Sequence, residues 1–284
     1  MKNSMLVVVV GLGEVGTPLL ELVGRHYDVI GVDISPFKAV RRAVDVLHIC
    51  YPFQINDFVV EAKRYIDLFH PKLTIINSSV PIGTTRQIAL RTGASVAHSP
   101  IRGKHTCMLS ELLRYAKFVG ALDHSTAEQA TSHFESLGMK TRILSSPEST
   151  ELAKLVETSY FGLLIAWAQD IERACDKLEV SYDEVVSFYE EIGFFPPVKY
   201  FPGVIGGHCV MPNIELLGKA VNSEILEAIR LSNKAKIKRD SEWGKAQDLQ
   251  GVGLTPISAR SEKKELVVKA RVRAQRGRDS RLVA

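Results

Sequence analysis

An uninterrupted apolar run, Leu6 to Val10, passes directly into Gly11-Leu12-Gly13-Glu14-Val15-Gly16. A run of that kind reads as a parallel strand buried on both faces. The glycines impose a tight turn, and Thr17 to Gly24, with Leu19, Leu20, Leu22 and Val23 apolar, reads as a helix. A second strand, Tyr27 to Val32, then ends in Asp33, 22 positions after Gly11. This strand–turn–helix–strand order is the opening unit of a doubly wound α/β sheet, and few other folds accept it.

Each glycine has a physical task in that unit. Gly11 permits the turn, Gly13 lets backbone approach a pyrophosphate, and Gly16 lets helix and strand pack closely. The helix N-terminus turns its unpaired N–H groups toward phosphate. Gly11, Leu12, Gly13, Glu14, Val15 and Gly16 are therefore the expected cofactor loop. Asp33 would accept hydrogen bonds from ribose hydroxyls and repel a 2′-phosphate, so NAD is expected rather than NADP.

The alternation continues. Val44 to Cys50 reads as a strand ending at Tyr51-Pro52, Phe58 to Phe69 as a helix, and Leu73 to Ile76 as a strand leading to Ser79. Tyr51 and Pro52 follow a strand end, the edge where such sheets bind ligands, and join the expected cofactor contacts. A helix from Gly83 to about Arg91, short strands at Ser95–His98 and Phe118–Ala121, a helix at Thr126–Leu137 and a strand at Lys140–Leu144 complete the pattern. Residues 1–148 are thus expected to be a Rossmann-like domain, a parallel sheet covered by helices on both faces.

From Ser149 the period changes. Ser149 to Leu178 contains no proline and no glycine except Gly162, and its apolar residues fall at helical spacing. One long helix is expected there, with another at Ser181–Ile192 and a third around Glu224–Asn233. These make residues 149–233 a helical domain. The long helix is apolar over much of its circumference, more than one sheet can cover, which predicts a homodimer built around it. Between the second and third helices lies Pro202-Gly-Val-Ile-Gly-Gly-His-Cys209, a shaped loop that delivers a cysteine where backbone can approach a ligand. That thiol is either a nucleophile or a buried, inert side chain.

The net charge of +4 hides an asymmetry: residues 234–284 carry 14 Lys and Arg against 6 Asp and Glu. This basic extension is expected to be solvated or disordered, with weak strand patterns at 252–257 and 266–272. Past Trp243 no aromatic residues interleave its charges, so nucleic acid is not an expected partner. Four widely spaced cysteines, Cys50, Cys107, Cys175 and Cys209, form neither a zinc pattern nor a disulfide framework. No metal is expected, no apolar run spans a bilayer, and a cytoplasmic protein follows.

Four stretches in order resemble the UDP-glucose/GDP-mannose dehydrogenase family: Gly11–Leu19, Ser79–Thr85, Glu151–Leu155, and the Pro202–Cys209 loop in the form found in the N-acetylated sugar-nucleotide branch. The resemblance implies NAD-dependent oxidation of the 6-position of a nucleotide sugar. A first hydride transfer gives an aldehyde, a cysteine adds to it, and a second gives a thioester that water hydrolyses. It implies that Cys209 is the nucleophile, that Lys154 holds the developing oxyanion and favours the thiolate, and that Ser79 stands where a threonine helps position water and cofactor.

The chain departs from that pattern at three places. An acid is replaced by Ile101 in Ser99-Pro100-Ile101-Arg102, an asparagine by Thr158, and an aspartate by Asn213. Thr158 and Asn213 remain candidate catalytic residues, yet neutral groups are poor general bases. The nucleotide-gripping third domain of the family has no counterpart in these residues. Arg102, Lys104, His105 and His208 are candidates for holding an anionic small-molecule substrate. Two other functions stay open: a two-electron dehydrogenase of the hydroxyacid type using Lys154, and an NAD-binding protein without turnover.

Overall fold

A computed structural model describes residues 3–33, 42–55, 57–103, 107–192, 201–207 and 209–250. The first strand, β1 (Asn3–Val10), is followed by α1 (Gly16–Gly24), β2 (Tyr27–Val32), β3 (Val46–Ile49), α2 (Phe58–Phe69), β4 (Leu73–Ile76), α3 (Thr84–Thr92) and β5 (Val96–His98). Then come α4 (Met108–Arg114), β6 (Lys117–Ala121), α5 (His124–Ser136) and β7 (Thr141–Ile143). The helices α6 (Pro147–Leu178), α7 (Tyr182–Ser187), α8 (Val210–Ala220) and α9 (Glu224–Gln250) close the described chain.

The strands form one seven-stranded sheet among the described residues, in the order β2-β1-β3-β4-β5-β6-β7. The doubly wound fold is therefore as expected, with one difference. Strands β5 and β6 pair antiparallel, Ala97 opposite Ala121. The segment from Ser99 to Tyr115, which includes α4, returns to the edge it left and makes no crossover, so β6 must run backwards. Parallel pairing resumes between β6 and β7.

Alternating β1 side chains feed two cores. Leu6, Val8 and Val10 pack with the apolar faces of α2 and α3, including Phe58, Phe69 and Ile88. Val7 packs on the opposite face with Leu19 and Leu22 of α1 and Phe134 of α5. Burying each such valine or leucine stabilises the fold by roughly 1.5–3 kcal/mol.

The chain divides into two units, Met1–Trp167 with Ile205–Ile229, and Ala168–Val204 with Arg230–Ala284. In the first, the sheet is joined by a third core that sets Leu155 of α6 against Val210, Ile214 and Leu217 of α8. In the second, Gln169 Nε2 donates to Gly203 O at 2.7 Å. Lys236 Nζ of α9 also lies 2.8 Å from Glu172 Oε2 of α6.

Helix α9 corrects the expected disorder from residue 234 onward, because it continues to Gln250. The pairs Lys236–Glu172 and Arg239–Asp176 hold it to α6. Helix α8 is a second difference, since the sequence reading placed no helix between Cys209 and Glu224. The weak strands at 252–257 and 266–272 lie outside the described residues.

Candidate functional site

The strand order reverses beside β1, where the loops after β1 and β3 meet. This is the crevice where doubly wound sheets take a dinucleotide. Gly11 has φ +90°, and a Cβ there would stand 2.5 Å from Tyr51 N. A Cβ on Gly16 would stand 1.8 Å from Gly11 O. These two glycines let the loops and helix close on one another. A Cβ on Gly13 would meet no atom within 4 Å, and Gly13 and Glu14 are exposed. The first turn of α1 has no side-chain cap, which leaves it suited to cap a phosphate. The residues present therefore fit a dinucleotide: an open glycine, an uncapped helix start, and exposed Asp33 at the end of β2.

Tyr51 takes part only through its backbone. Its ring is buried against Phe58 and Tyr65 in the core, while its carbonyl accepts from Ser78 Oγ at 2.6 Å. A cofactor contact at Tyr51 is therefore left to its backbone, which closes on Gly11. Pro52 is exposed and Ser79 half-buried at neighbouring strand ends.

Helix α6 is anchored to this edge by a carboxylate that sequence reading did not single out. Glu151 is fully buried and accepts from Gly83 N at 2.6 Å, Thr85 N at 2.8 Å and Thr85 Oγ1 at 2.6 Å. It caps α3 from outside, as a side chain must when the N-cap is a glycine. Burial raises its pKa, opposed by those hydrogen bonds. His98 lies beside it with both ring nitrogens bonded, Nδ1 to Thr150 Oγ1 at 2.7 Å and Nε2 to Ser78 O at 3.1 Å. This is the satisfied sheet-end histidine its position suggests.

With its N-terminus fixed, α6 presents Lys154 one turn on. Helix α8 brings Cys209 to the same place. Gly162 permits the approach, because a Cβ there would lie 2.9 Å from Val210 Cγ1 and 3.0 Å from Ile214 Cδ1. Cys209 is the N-cap residue of α8. Its thiol interacts electrostatically with Lys154 and Glu14, so cysteine, lysine and glycine loop converge in one unit.

The electrostatics differ from expectation in one respect. Burial raises the Cys209 pKa, Lys154 lowers it and Glu14 raises it, and the net result is upward. The lysine favours the thiolate, as expected, but burial outweighs it. Burial also lowers the pKa of Lys154, against the opposing influence of Glu157 and Cys209.

Thr158 and Asn213 bond to each other, Asn213 Nδ2 donating to Thr158 Oγ1 at 3.0 Å. A pocket of about 220 Å³ has Pro100, Phe118, Leu144 and Ala153 as its apolar lining and Arg102, Lys154 and Glu157 as its charged groups. Arg102 Nε donates to Glu157 Oε1 at 2.8 Å, and its guanidinium lies 5.5 Å from the Phe118 ring centre. The strand Lys117–Ala121 holds the loop before Arg102 from below. Lys117 Nζ, buried and with its pKa brought down to about 7 by that burial, donates to Ser99 O at 2.6 Å and Pro100 O at 3.2 Å. Ile101 is buried in the core. Lys104, His105 and His208 lie outside the described residues.

The sequence held signals for two of the missed features. Val210, Ile214 and Leu217 recur at helical spacing with Pro212 in the first turn, which marks α8. Glu157 stands three residues after Lys154, on the same helical face.

None of the four cysteines is in a disulfide. Among the described residues no helix is long and apolar enough to cross a membrane, and no group of three potential metal ligands is found.

Residues 148–236 match the UDP-glucose/GDP-mannose dehydrogenase family, central domain. The chain is 25% identical to the UDP-N-acetyl-D-mannosamine dehydrogenase of Methanocaldococcus jannaschii, over 80% of this chain and 65% of that protein. It is 26% identical to the NDP-N-acetyl-D-galactosaminuronic acid dehydrogenase of Ralstonia nicotianae, over 71% of this chain and 62% of that one. The chain thus spans just under two thirds of these relatives. Its fold matches the structure of the UDP-D-ManNAc dehydrogenase from Pyrococcus horikoshii with a TM-score of 0.74 at 19% identity, over 87% of this chain and 73% of that one.

Proposed function

We propose that this chain, whose residues 148–236 match the central domain of the UDP-glucose/GDP-mannose dehydrogenase family, is an NAD-dependent oxidoreductase acting on the primary alcohol of a nucleotide sugar. The observation that carries this reading is the convergence of Cys209, Lys154 and the glycine loop through Glu14. The names of the relatives point to an N-acetylated hexose as the sugar.

Gly11 to Gly16 and Asp33 would hold NAD, which when bound supplies the hydride acceptor. Lys154 has the chemistry to hold the alkoxide of a primary alcohol and then the oxyanion formed when Cys209 adds to the aldehyde. Its lowered pKa also suits it to exchange a proton with that oxygen. Asn213 and Thr158, tied to each other, set the backbone one turn past each reacting residue. Arg102, stacked beside Phe118 and paired with Glu157, offers the pocket a cation for an anionic group of the substrate.

A homodimer is part of this reading, because Leu152, Val156 and Tyr160 expose an apolar stripe at four-residue spacing on α6. Four thiols without a disulfide suit a reducing, cytoplasmic setting.

The experiment is an NADH assay with NAD and a set of nucleotide sugars, UDP-N-acetyl-D-mannosamine among them. Turnover that Lys154→Ala and Cys209→Ala both abolish supports the four-electron reading. The raised thiol pKa favours a second reading, two-electron oxidation through Lys154 alone. A yield of one NADH per substrate that Cys209→Ala leaves unchanged and Lys154→Ala abolishes would establish it instead.

A further inference from the structure

On the dehydrogenase reading the substrate ends the second oxidation as a thioester on Cys209, and hydrolysing it requires a group that takes a proton from water. The residues one turn beyond each, Asn213 and Thr158, are neutral and already bonded to each other. Ile101 is buried and apolar. The carboxylate that lies against Lys154 comes from α6 itself: Glu157 Oε2 stands 3.9 Å from Lys154 Nζ.

Its geometry is asymmetric. Arg102 binds Oε1, Nε at 2.8 Å, which fixes the plane of the carboxylate. The fork shape of guanidinium suits it to this orienting task. The second oxygen faces Lys154 beyond direct hydrogen-bond length, the kind of spacing that a water molecule bridges. Glu157 is half-exposed and lines the same pocket as Lys154 and Arg102, so water reaches it.

We infer that Glu157 is the general base for the hydrolytic half of the reaction, oriented by Arg102 and acting on a water shared with Lys154. The assignment rests on the dehydrogenase reading above. In this step the water oxygen bonds to the acyl carbon and one water proton passes to Glu157 Oε2. The C–S bond breaks, and sulfur leaves with the electron pair as the Cys209 thiolate. The product acid then ionises, and the proton on Glu157 returns to solvent or to the thiolate. No oxidant is consumed, and Arg102 acts as a positioning residue.

The test uses Glu157→Gln with NAD and UDP-N-acetyl-D-mannosamine, followed by NADH release and intact-protein mass. The amide still accepts from Arg102 but cannot take the proton. The expected result is a first burst of NADH that persists while steady turnover slows by roughly 100-fold or more, with an acyl adduct on Cys209 that hydroxylamine removes. Formate should restore turnover to Glu157→Ala by supplying a carboxylate, a result that a structural role would not give. Wild-type turnover by Glu157→Gln with no adduct overturns the assignment and leaves the dehydrogenase reading intact. So does a Glu157→Ala variant that stays folded and inactive in formate. A wild-type chain that forms no NADH overturns the dehydrogenase reading, and this assignment with it.

Discussion

Asn213 Nδ2 and Thr158 Oγ1 meet at 3.0 Å, each one helical turn beyond a residue of the proposed reaction centre, Cys209 on one side and Lys154 on the other. The Thr158 hydroxyl also lies 3.0 Å from Lys154 O, and Asn213 N donates to Cys209 O at 3.1 Å. Two of the three positions where the chain departs from the pattern it resembles therefore form one neutral hydrogen bond that spans α6 and α8. Thr158→Val keeps the shape and removes the partner of a buried amide. It should cost about 1–3 kcal/mol in chemical denaturation, whereas an unchanged midpoint would show that the bond is dispensable.

Gly162 makes the same approach sterically possible. Adding a methyl group forces Val210 and Ile214 aside, at about 1–3 kcal/mol for overpacking, less the roughly 1 kcal/mol that alanine gains in a helix. Gly162→Ala should thus be mildly destabilised and should weaken the influence of Lys154 on Cys209. Denaturation and the pH profile of Cys209 alkylation together check this.

That alkylation profile has a sign fixed by charge. Burial holds the Cys209 thiol above its ordinary pKa, Lys154 pulls it down and Glu14 pushes it up. Iodoacetamide modification should keep accelerating above pH 9. Lys154→Met should move the profile to higher pH and Glu14→Gln to lower pH. Both variants moving it the same way would break the assignment of these charges to the thiol.

The three glycines of the first loop separate cleanly. Gly11→Ala meets backbone at Tyr51 N and needs a positive φ, so strain of about 1–3 kcal/mol adds to the clash. Gly13→Ala meets nothing. The first should unfold at markedly lower temperature. The second should keep wild-type stability while losing NAD affinity by calorimetry.

Acid sensitivity follows from buried histidines. Burial takes His98 down to about 3 and His133 to about 4, both from an ordinary 6.5. His48, in contact with His133 at 2.9 Å, is lowered by burial and by its neighbours. The unfolded chain therefore binds more protons below pH 6.5, and stability falls as pH drops through the window from 6.5 to about 4. Each histidine contributes up to about 1.4 kcal/mol per pH unit. Urea midpoints across that window test it, and His133→Phe should flatten the slope.

Much of this was legible because local and tertiary demands agree. The run Leu6 to Val10 is apolar on both faces because both faces are buried, and the helix read over Phe58–Phe69 has those bounds in the structure. Gly162, the lone glycine of its helix, stands where the helix meets Val210 and Ile214. Legibility failed where meaning depends on distant neighbours. Strand β6 runs backwards because the segment before it makes no crossover, a feature that the period of two does not encode. Helix α8 hides in a short segment behind a glycine loop. Only the assembled fold shows Glu151 capping α3, Glu157 facing Lys154 and Lys117 buried under Pro100.

Counting NADH released per molecule of UDP-N-acetyl-D-mannosamine consumed tests the role of Cys209 most directly. The arrangement of Cys209 and Lys154 predicts two NADH and a carboxylate product for the wild-type chain, and no more than one for Cys209→Ser. One NADH per substrate from the wild-type chain, or two from Cys209→Ser, would contradict it.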